Sequence, residues 1–257
     1  MKSILLFAAA ESASPDRGAA RYAIELAQAQ GAALTVFVIA LDVTTPGRST
    51  DAAAVAQAVA RAAGAANVAC TAITAHSHAM GVTEVIAEHA RLHDLVVTGC
   101  DAHSLMSERS IAEYLLFEAG RPLLMVPADF QGPVATERAV VAWDNSRVAA
   151  RALADTLLLG VKTLTLLTID GDKQVPGDLD APAREAVLVR RGLSVRHHSA
   201  PKAGRGIGEA LQQETQTAGA DLLAAGAFGH ARLRRFVLGS ATSELLADLR
   251  VPVLFSH

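Results

Sequence analysis

Apolar residues along this chain fall into short unbroken runs instead of alternating with polar ones. In the first half the runs cover residues 4–7, 34–38, 94–99 and 122–126; in the second they cover 139–142, 164–168, 221–226 and 251–255. Runs of this length without polar alternation predict strands buried on both faces, as in a parallel sheet. Between them, stretches rich in Ala and Leu predict helices over 17–30, 51–66, 82–92, 146–159, 207–216 and 240–249. The helix over 51–66 reads as a surface helix whose apolar face packs on the sheet.

The runs recur in the same order after roughly 130 residues, a period too long for a solenoid and suited to two fused domains. Leu34-Thr35-Val36-Phe37-Val38 matches Leu164-Thr165-Leu166-Leu167-Thr168. Asp94-Leu95-Val96-Val97-Thr98-Gly99 matches Asp221-Leu222-Leu223-Ala224-Ala225-Gly226, and each half closes on a strand led by a proline, Pro122 or Pro252. The expected fold class is α/β: two tandem doubly wound, Rossmann-like parallel-sheet units with right-handed crossovers, over residues 1–130 and 138–257. Gly132-Pro133 interrupts both periodicities, so residues 128–137 are the expected linker. The alternative is one long sheet in a single domain; the closeness of the repeat speaks against it.

Composition narrows the function classes. A net charge of -3 carries no electrostatic footprint for nucleic acid. No apolar run approaches the ~20 residues that span a bilayer, and residues 3–10 read as a strand and not as a leader. Cys70 and Cys100 are too few for a disulfide framework and lack CxxC spacing. The expectation is a reduced, cytoplasmic protein that contacts neither membrane nor nucleic acid.

Ligands of doubly wound sheets sit beyond the carboxyl ends of the strands, where strand order reverses. After the fourth strand of the second half the chain reads G-x2-G-x9-G-S, from Gly226 and Gly229 to Gly239 and Ser240, and then enters the last helix at Ala241. Glycines allow close backbone approach or positive φ. A helix start offers free N–H groups and a favourable dipole for an anion, and Ser240 can both cap that helix and donate to a phosphate. His230, Arg232, Arg234 and Arg235 add local positive charge. After the first strand of this half stands Asp144, with Ser146 beyond it.

These motifs resemble those of the ATP-binding branch of the universal stress protein family, and the resemblance extends over the whole chain as two copies of the fold. It implies an adenine nucleotide, ATP or ADP with or without Mg, bound in the second half. Asp144 would lie by the adenosine, Ile169 would contact adenine, and Gly226 would lie near the ribose. Gly229, Gly239, Ser240 and Ala241 would hold the phosphates. It also implies that the final strands pair the two halves as an intrachain pseudo-dimer; a further homodimer and an unidentified protein partner stay open. Trp143 departs from the family pattern, which has a smaller residue before the Asp: it either stacks on the base, fills part of the pocket or packs under a helix.

The first half has lost the pattern. Ala102 stands at the second glycine, Arg109-Ser110 where Gly-Ser belongs, and Ala8-Ala9-Ala10 before Glu11 where the Asp should follow the first strand. It is expected to be a structural or regulatory partner domain, with Cys100, Asp101 and His103 in the equivalent loop. His76-Ser77-His78 is read as a loop after the third strand, His89/His93 as an i,i+4 pair on a helix, and His197-His198 as the end of a strand. None of them completes a zinc ligand set. No lysine-bearing phosphate loop is present. The expectation is therefore a nucleotide-responsive stress regulator, with slow ATP hydrolysis or a module that binds no nucleotide as the alternatives.

Overall fold

Strand and helix alternate along both halves. The computed structural model describes residues 1–10, 13–41, 51–77, 81–100, 108–171, 180–227 and 240–257, and the chain divides into two units, Met1–Val134 and Ala135–His257.

In the first unit the order is β1 (Ser3–Ala9), α1 (Gly18–Gln30), β2 (Ala33–Leu41), α2 (Ala52–Ala65), β3 (Cys70–Ser77), α3 (Val82–Ala90), β4 (Leu95–Gly99), α4 (Glu108–Glu118) and β5 (Leu123–Val126). Its strands lie in the order β3-β2-β1-β4-β5, all parallel. The second unit runs β6 (Arg138–Ala142), α5 (Arg147–Leu157), β7 (Thr163–Asp170), α6 (Ala181–Val189), β8 (Ser194–Pro201), α7 (Ile207–Thr217), β9 (Leu222–Gly226), α8 (Ser240–Ala247) and β10 (Val253–Ser256). It repeats the topology as β8-β7-β6-β9-β10, again parallel. The expected α/β class is the one observed.

The inner strands are buried because both faces are covered by helices: Ile4, Leu5, Leu6, Val96 and Val97 in one unit, and Val140, Val141, Leu223 and Ala224 in the other, lie in the core. A shared device sets the register in each unit. Asp94, just before β4, accepts the backbone N–H of Lys2 at 2.7 Å and of Ser3 at 3.1 Å at the entry to β1. Asp221, just before β9, accepts the N–H of Arg138 at 2.8 Å and its guanidinium at 3.0 Å. The backbone donors hold the Asp94 carboxyl below the usual carboxylate range, with the chain's amino terminus and Arg121 adding to the effect.

The outer strands read differently from sequence. His76 and Ser77 belong to β3, where they pair with Ala40 and Leu41, so they are not a loop. His197 and His198 lie inside β8, opposite Leu166 and Leu167, and not at its end. Much of β8 is exposed, so polar side chains are tolerated there. Glu185 of α6 accepts the N–H of His197 at 2.6 Å, occupying a backbone donor on the open edge of the strand. His93 lies beyond the end of α3, so it makes no i,i+4 ring pair; its Nδ1 donates to the His89 carbonyl at 2.8 Å.

Part of the expected linker is docked, not free. Phe130 packs on Tyr22 with ring centroids 5.7 Å apart, and the Arg21 guanidinium lies 5.9 Å from the Phe130 ring centre. Arg21 also donates to the Gly132 carbonyl at 2.7 Å. Gly18, with φ of 55°, brings the start of α1 so near that a Cβ there would lie 2.9 Å from the Ala128 carbonyl oxygen.

Candidate functional site

In the second unit, strand order reverses between β6 and β9. The chain leaves β6 for β7 on one side and returns from β8 to β9 on the other, which opens a crevice at their carboxyl ends. Residues 143–146 turn from β6 into α5 at this point. Trp143 continues the ladder, donating its N–H to Leu167 O at 2.7 Å. Asn145 has φ of 60°, a conformation that Asn tolerates better than most residues. Asp144 Oδ1 accepts the Ser146 N–H at 3.0 Å, and Ser146 caps α5 by accepting the Ala149 N–H at 3.2 Å. Asp144 is only part-buried and lies just past the carboxyl end of β6, on a turn tied down by two hydrogen bonds.

Gly226 ends β9, but its missing Cβ serves the protein itself. A Cβ there would fall 2.6 Å from the backbone carbon of Val148 and 2.8 Å from the Ala149 nitrogen. The glycine is required by the close approach of α5, a reason other than the ligand approach expected from its motif. Ile169, near the end of β7, is buried. Because strand side chains alternate, it faces away from Thr168, on the opposite side of the sheet.

Ala241 lies in the first turn of α8. Its carbonyl oxygen would be 3.2 Å from a Cβ on Gly208, so α8 and α7 are in near backbone contact there. Glu244 of α8 accepts the Gly208 N–H at 2.8 Å, supplying α7 with the cap that its own N-cap residue, Gly206, cannot provide. Ser240 opens α8, although its side chain is outside the described residues. Gly229, Gly239, His230, Arg232, Arg234 and Arg235 lie outside them as well, as do Glu11, His78, Asp101, Ala102 and His103. Asp144, Ile169 and Gly226 therefore gather at the carboxyl ends of β6, β7 and β9, with Ala241 at the helix that follows.

A polar chain behind the turn escaped sequence reasoning. Thr168 Oγ1 donates to the Trp143 carbonyl at 3.0 Å and lies 3.2 Å from His197 Nε2. The hydroxyl proton goes to the carbonyl, so its oxygen accepts from His197 and the histidine carries its proton on Nε2. Burial pushes the His197 pKa down, and Arg184 and His198 push the same way, against Glu185 and Asp170. The hydroxyl residue at the end of the largely apolar run, Thr168, was the available signal. Among the described residues, no three His, Cys, Asp or Glu side chains are placed to hold a metal ion, and no helix is long and apolar enough to cross a membrane.

The family model described as "Universal stress protein family" matches residues 136–257. A universal stress protein of Synechocystis sp. is 27% identical over 146 residues, which is 55% of this chain and 49% of that protein; the match thus spans about half the length of this curated relative. Among solved structures, a universal stress protein from Archaeoglobus fulgidus superposes with a TM-score of 0.73 at 17% identity, covering 99% of this chain and 95% of that one. A putative universal stress protein from Pseudomonas aeruginosa gives 0.61 at 17% identity over 100% and 93%. At that identity the likeness concerns the fold, and it extends across both units. The family likeness in sequence thus lies in the second unit, over residues 136–257, while the likeness in fold spans the whole chain.

Proposed function

We propose that the second unit binds ATP or ADP at the carboxyl ends of β6 and β9 and that occupancy regulates the protein, with the first unit as a partner domain that carries no nucleotide. The observation that carries this reading is the Asp144 turn. A part-buried carboxylate is held by hydrogen bonds at the reversal of strand order, where doubly wound sheets take their ligands. In support, the chain follows β9 with the glycine pattern through Gly229 and Gly239 to Ser240, where α8 begins. A helix start there suits a phosphate chain.

In this arrangement Asp144 accepts hydrogen bonds from the nucleoside, and the amides at the start of α8 face the phosphates. The close approach of α5 over Gly226 keeps the Asp144 turn in place. The expected behaviour is binding with little or no turnover.

Calorimetric titration of the full chain with ATP and with ADP tests this. Saturable heat that Asp144→Ala and Gly229→Val each remove supports the reading. The absence of heat with either nucleotide refutes it, and steady phosphate release well above a blank would replace the regulator with an enzyme.

A further inference from the structure

The outer strand of the first unit, β3, has β2 on one side and no strand on the other. The Ala69 carbonyl accepts the Leu34 N–H at 2.8 Å, and Leu34 stands opposite Cys70. Alternation from there turns the N–H and C=O groups of Thr71, Ile73, Ala75 and Ser77 towards β2 and those of Cys70, Ala72, Thr74 and His76 away from it. Among the described residues, no hydrogen bond is made to these outward groups. The strand is also accessible, with Thr71, Ala72 and Thr74 exposed.

The second unit treats the corresponding edge differently. The Ser194 N–H donates to the Lys162 carbonyl at 2.9 Å, so the outward positions of β8 are Val195, His197, Ser199 and Pro201. The Glu185 carboxylate takes the His197 N–H at 2.6 Å, Pro201 has no N–H to offer, and Arg196 puts a charge on the strand. Charge, proline and covered donors are the devices that keep an edge strand from pairing. β3, with the sequence CTAITAHS, has no Pro, Lys, Arg, Asp or Glu. It is a bare template for another strand.

We propose that β3 is a dimer interface of this protein, pairing antiparallel with β3 of a second copy across a two-fold axis at Ile73. The register selects a second copy as the occupant. With the axis there, Ala72 stands opposite Thr74 of the partner subunit, and Cys70 opposite His76 of the partner subunit. Both members of each pair point outward, so each pair exchanges two hydrogen bonds. Every outward group of the strand is then used, and no like charges meet, so the segment is its own complement. Ile73 meets Ile73 of the partner subunit in the close, non-hydrogen-bonded position, an apolar β-branched pair.

Such an axis keeps the same face of the sheet upward in both copies and sets their α2 helices on either side of the seam. α2 packs on β2 and β3. Its exposed residues are Ala53, Ala54, Gln57, Arg61, Gly64 and Ala65, so few long side chains stand on it. The net charge of -3 per chain opposes association only weakly. All of these residues belong to the first unit, so the dimer stands apart from the nucleotide reading.

The test is sedimentation equilibrium of the full chain over a wide concentration range, for wild type, Ala72→Pro, Thr74→Lys and, on β8, Val195→Lys. Wild type and Val195→Lys should associate reversibly to twice the chain mass. Each β3 variant should need about tenfold or more higher concentration to do so; the proline removes two intermolecular hydrogen bonds per dimer. The Ala72 N–H has no partner in the single chain, so proline leaves the β2 ladder intact. Thr74→Lys changes an exposed side chain and reports even if the proline variant fails to fold. For the register, Ile73→Cys in a chain carrying Cys70→Ser and Cys100→Ser should oxidise to a disulfide-linked dimer, because the two Cβ atoms meet at the axis. Thr74→Cys in the same background should not.

A wild-type chain that stays monomeric at every concentration overturns the proposal. A dimer that survives both β3 variants, or that Val195→Lys dissolves, places the interface elsewhere and overturns it too. Cross-linking through Thr74→Cys and not through Ile73→Cys overturns the register, and with it the argument for a second copy.

Discussion

Gly226 offers the sharpest quantitative test of how the second unit is built. Replacing it with alanine adds one methyl group, and that Cβ would stand 2.6 Å from the backbone carbon of Val148, 2.7 Å from its Cγ2 and 2.8 Å from the Ala149 nitrogen. Ordinary contacts of this kind begin near 3.4 Å, so α5 must retreat by about 0.8 Å or more, or β9 must give way. Two of the three clashing atoms are backbone in the first turn of a helix, so no rotamer change relieves them. Overpacking of this sort costs about 1–3 kcal/mol.

With a urea slope of about 2 kcal/mol/M, the middle of the range for small units, the unfolding midpoint should fall by roughly 0.5–1.5 M. The assay is urea unfolding followed by Trp143 fluorescence. As the single tryptophan, Trp143 reports the transition of the second unit alone, which matters because a chain of two units need not unfold in one step. ATP affinity should fall as well, since α5 carries the Ser146 cap to which the Asp144 turn is tied. An unchanged midpoint would refute the packing argument. An unchanged midpoint with lost affinity would return Gly226 to the ligand-facing role expected from its motif.

Two further predictions concern protons. The Asp94 carboxyl is held below its ordinary value near 3.8, so it stabilises the fold above that pH, and the contribution is lost as pH falls through the depressed folded value. Asp94→Asn should lower stability near neutrality and flatten the acid limb below about pH 4; unfolding curves for wild type and variant that stay parallel from pH 6 to 2.5 would contradict this. The His197 pKa is lowered from 6.5, first by burial, so the unfolded chain takes up the proton more readily and stability declines as pH drops below 6.5. Replacing it, as in His197→Gln, should remove that part of the decline in a denaturation series between pH 7.5 and 5.

Much of the architecture could be read from the sequence because the inner strands are buried on both faces, leaving unbroken apolar runs such as residues 4–7 and 139–142. The repeated acid before the fourth strand was visible as Asp94 and Asp221, yet its use as a clamp joins it to residues more than 80 positions away at the entry to the first strand, a contact that only the fold creates. The outer strands were harder to read. Much of β8 is exposed and admits polar side chains, so His197 and His198 looked like strand-end residues, and His76 was read as loop although its backbone pairs within β3. Asp144 was singled out through the resemblance, as the acid that follows the first strand of the second half. The reason for Gly226 could not be read from sequence: its neighbour, the backbone at Val148, is distant in sequence and near only through the packing of α5. The chain from His197 through Thr168 to the Trp143 carbonyl likewise crosses three strands whose spacing carries no signal.

The seating of Phe130 on α1 bears on where this protein can be cut. A first-half fragment ended at the last residue of β5, Val126, would strip the covering ring from Tyr22 and Arg21 and take away the Gly132 carbonyl that Arg21 engages. The resulting bare aromatic surface on α1 would invite self-association. Ending the fragment after Val134, at the boundary between the units, keeps that cover in place and starts the complementary fragment ahead of Thr136, whose hydroxyl donates to the Leu159 carbonyl. The serviceable scission point is thus eight residues past the end of the last strand, a position that the strand pattern alone would not have suggested.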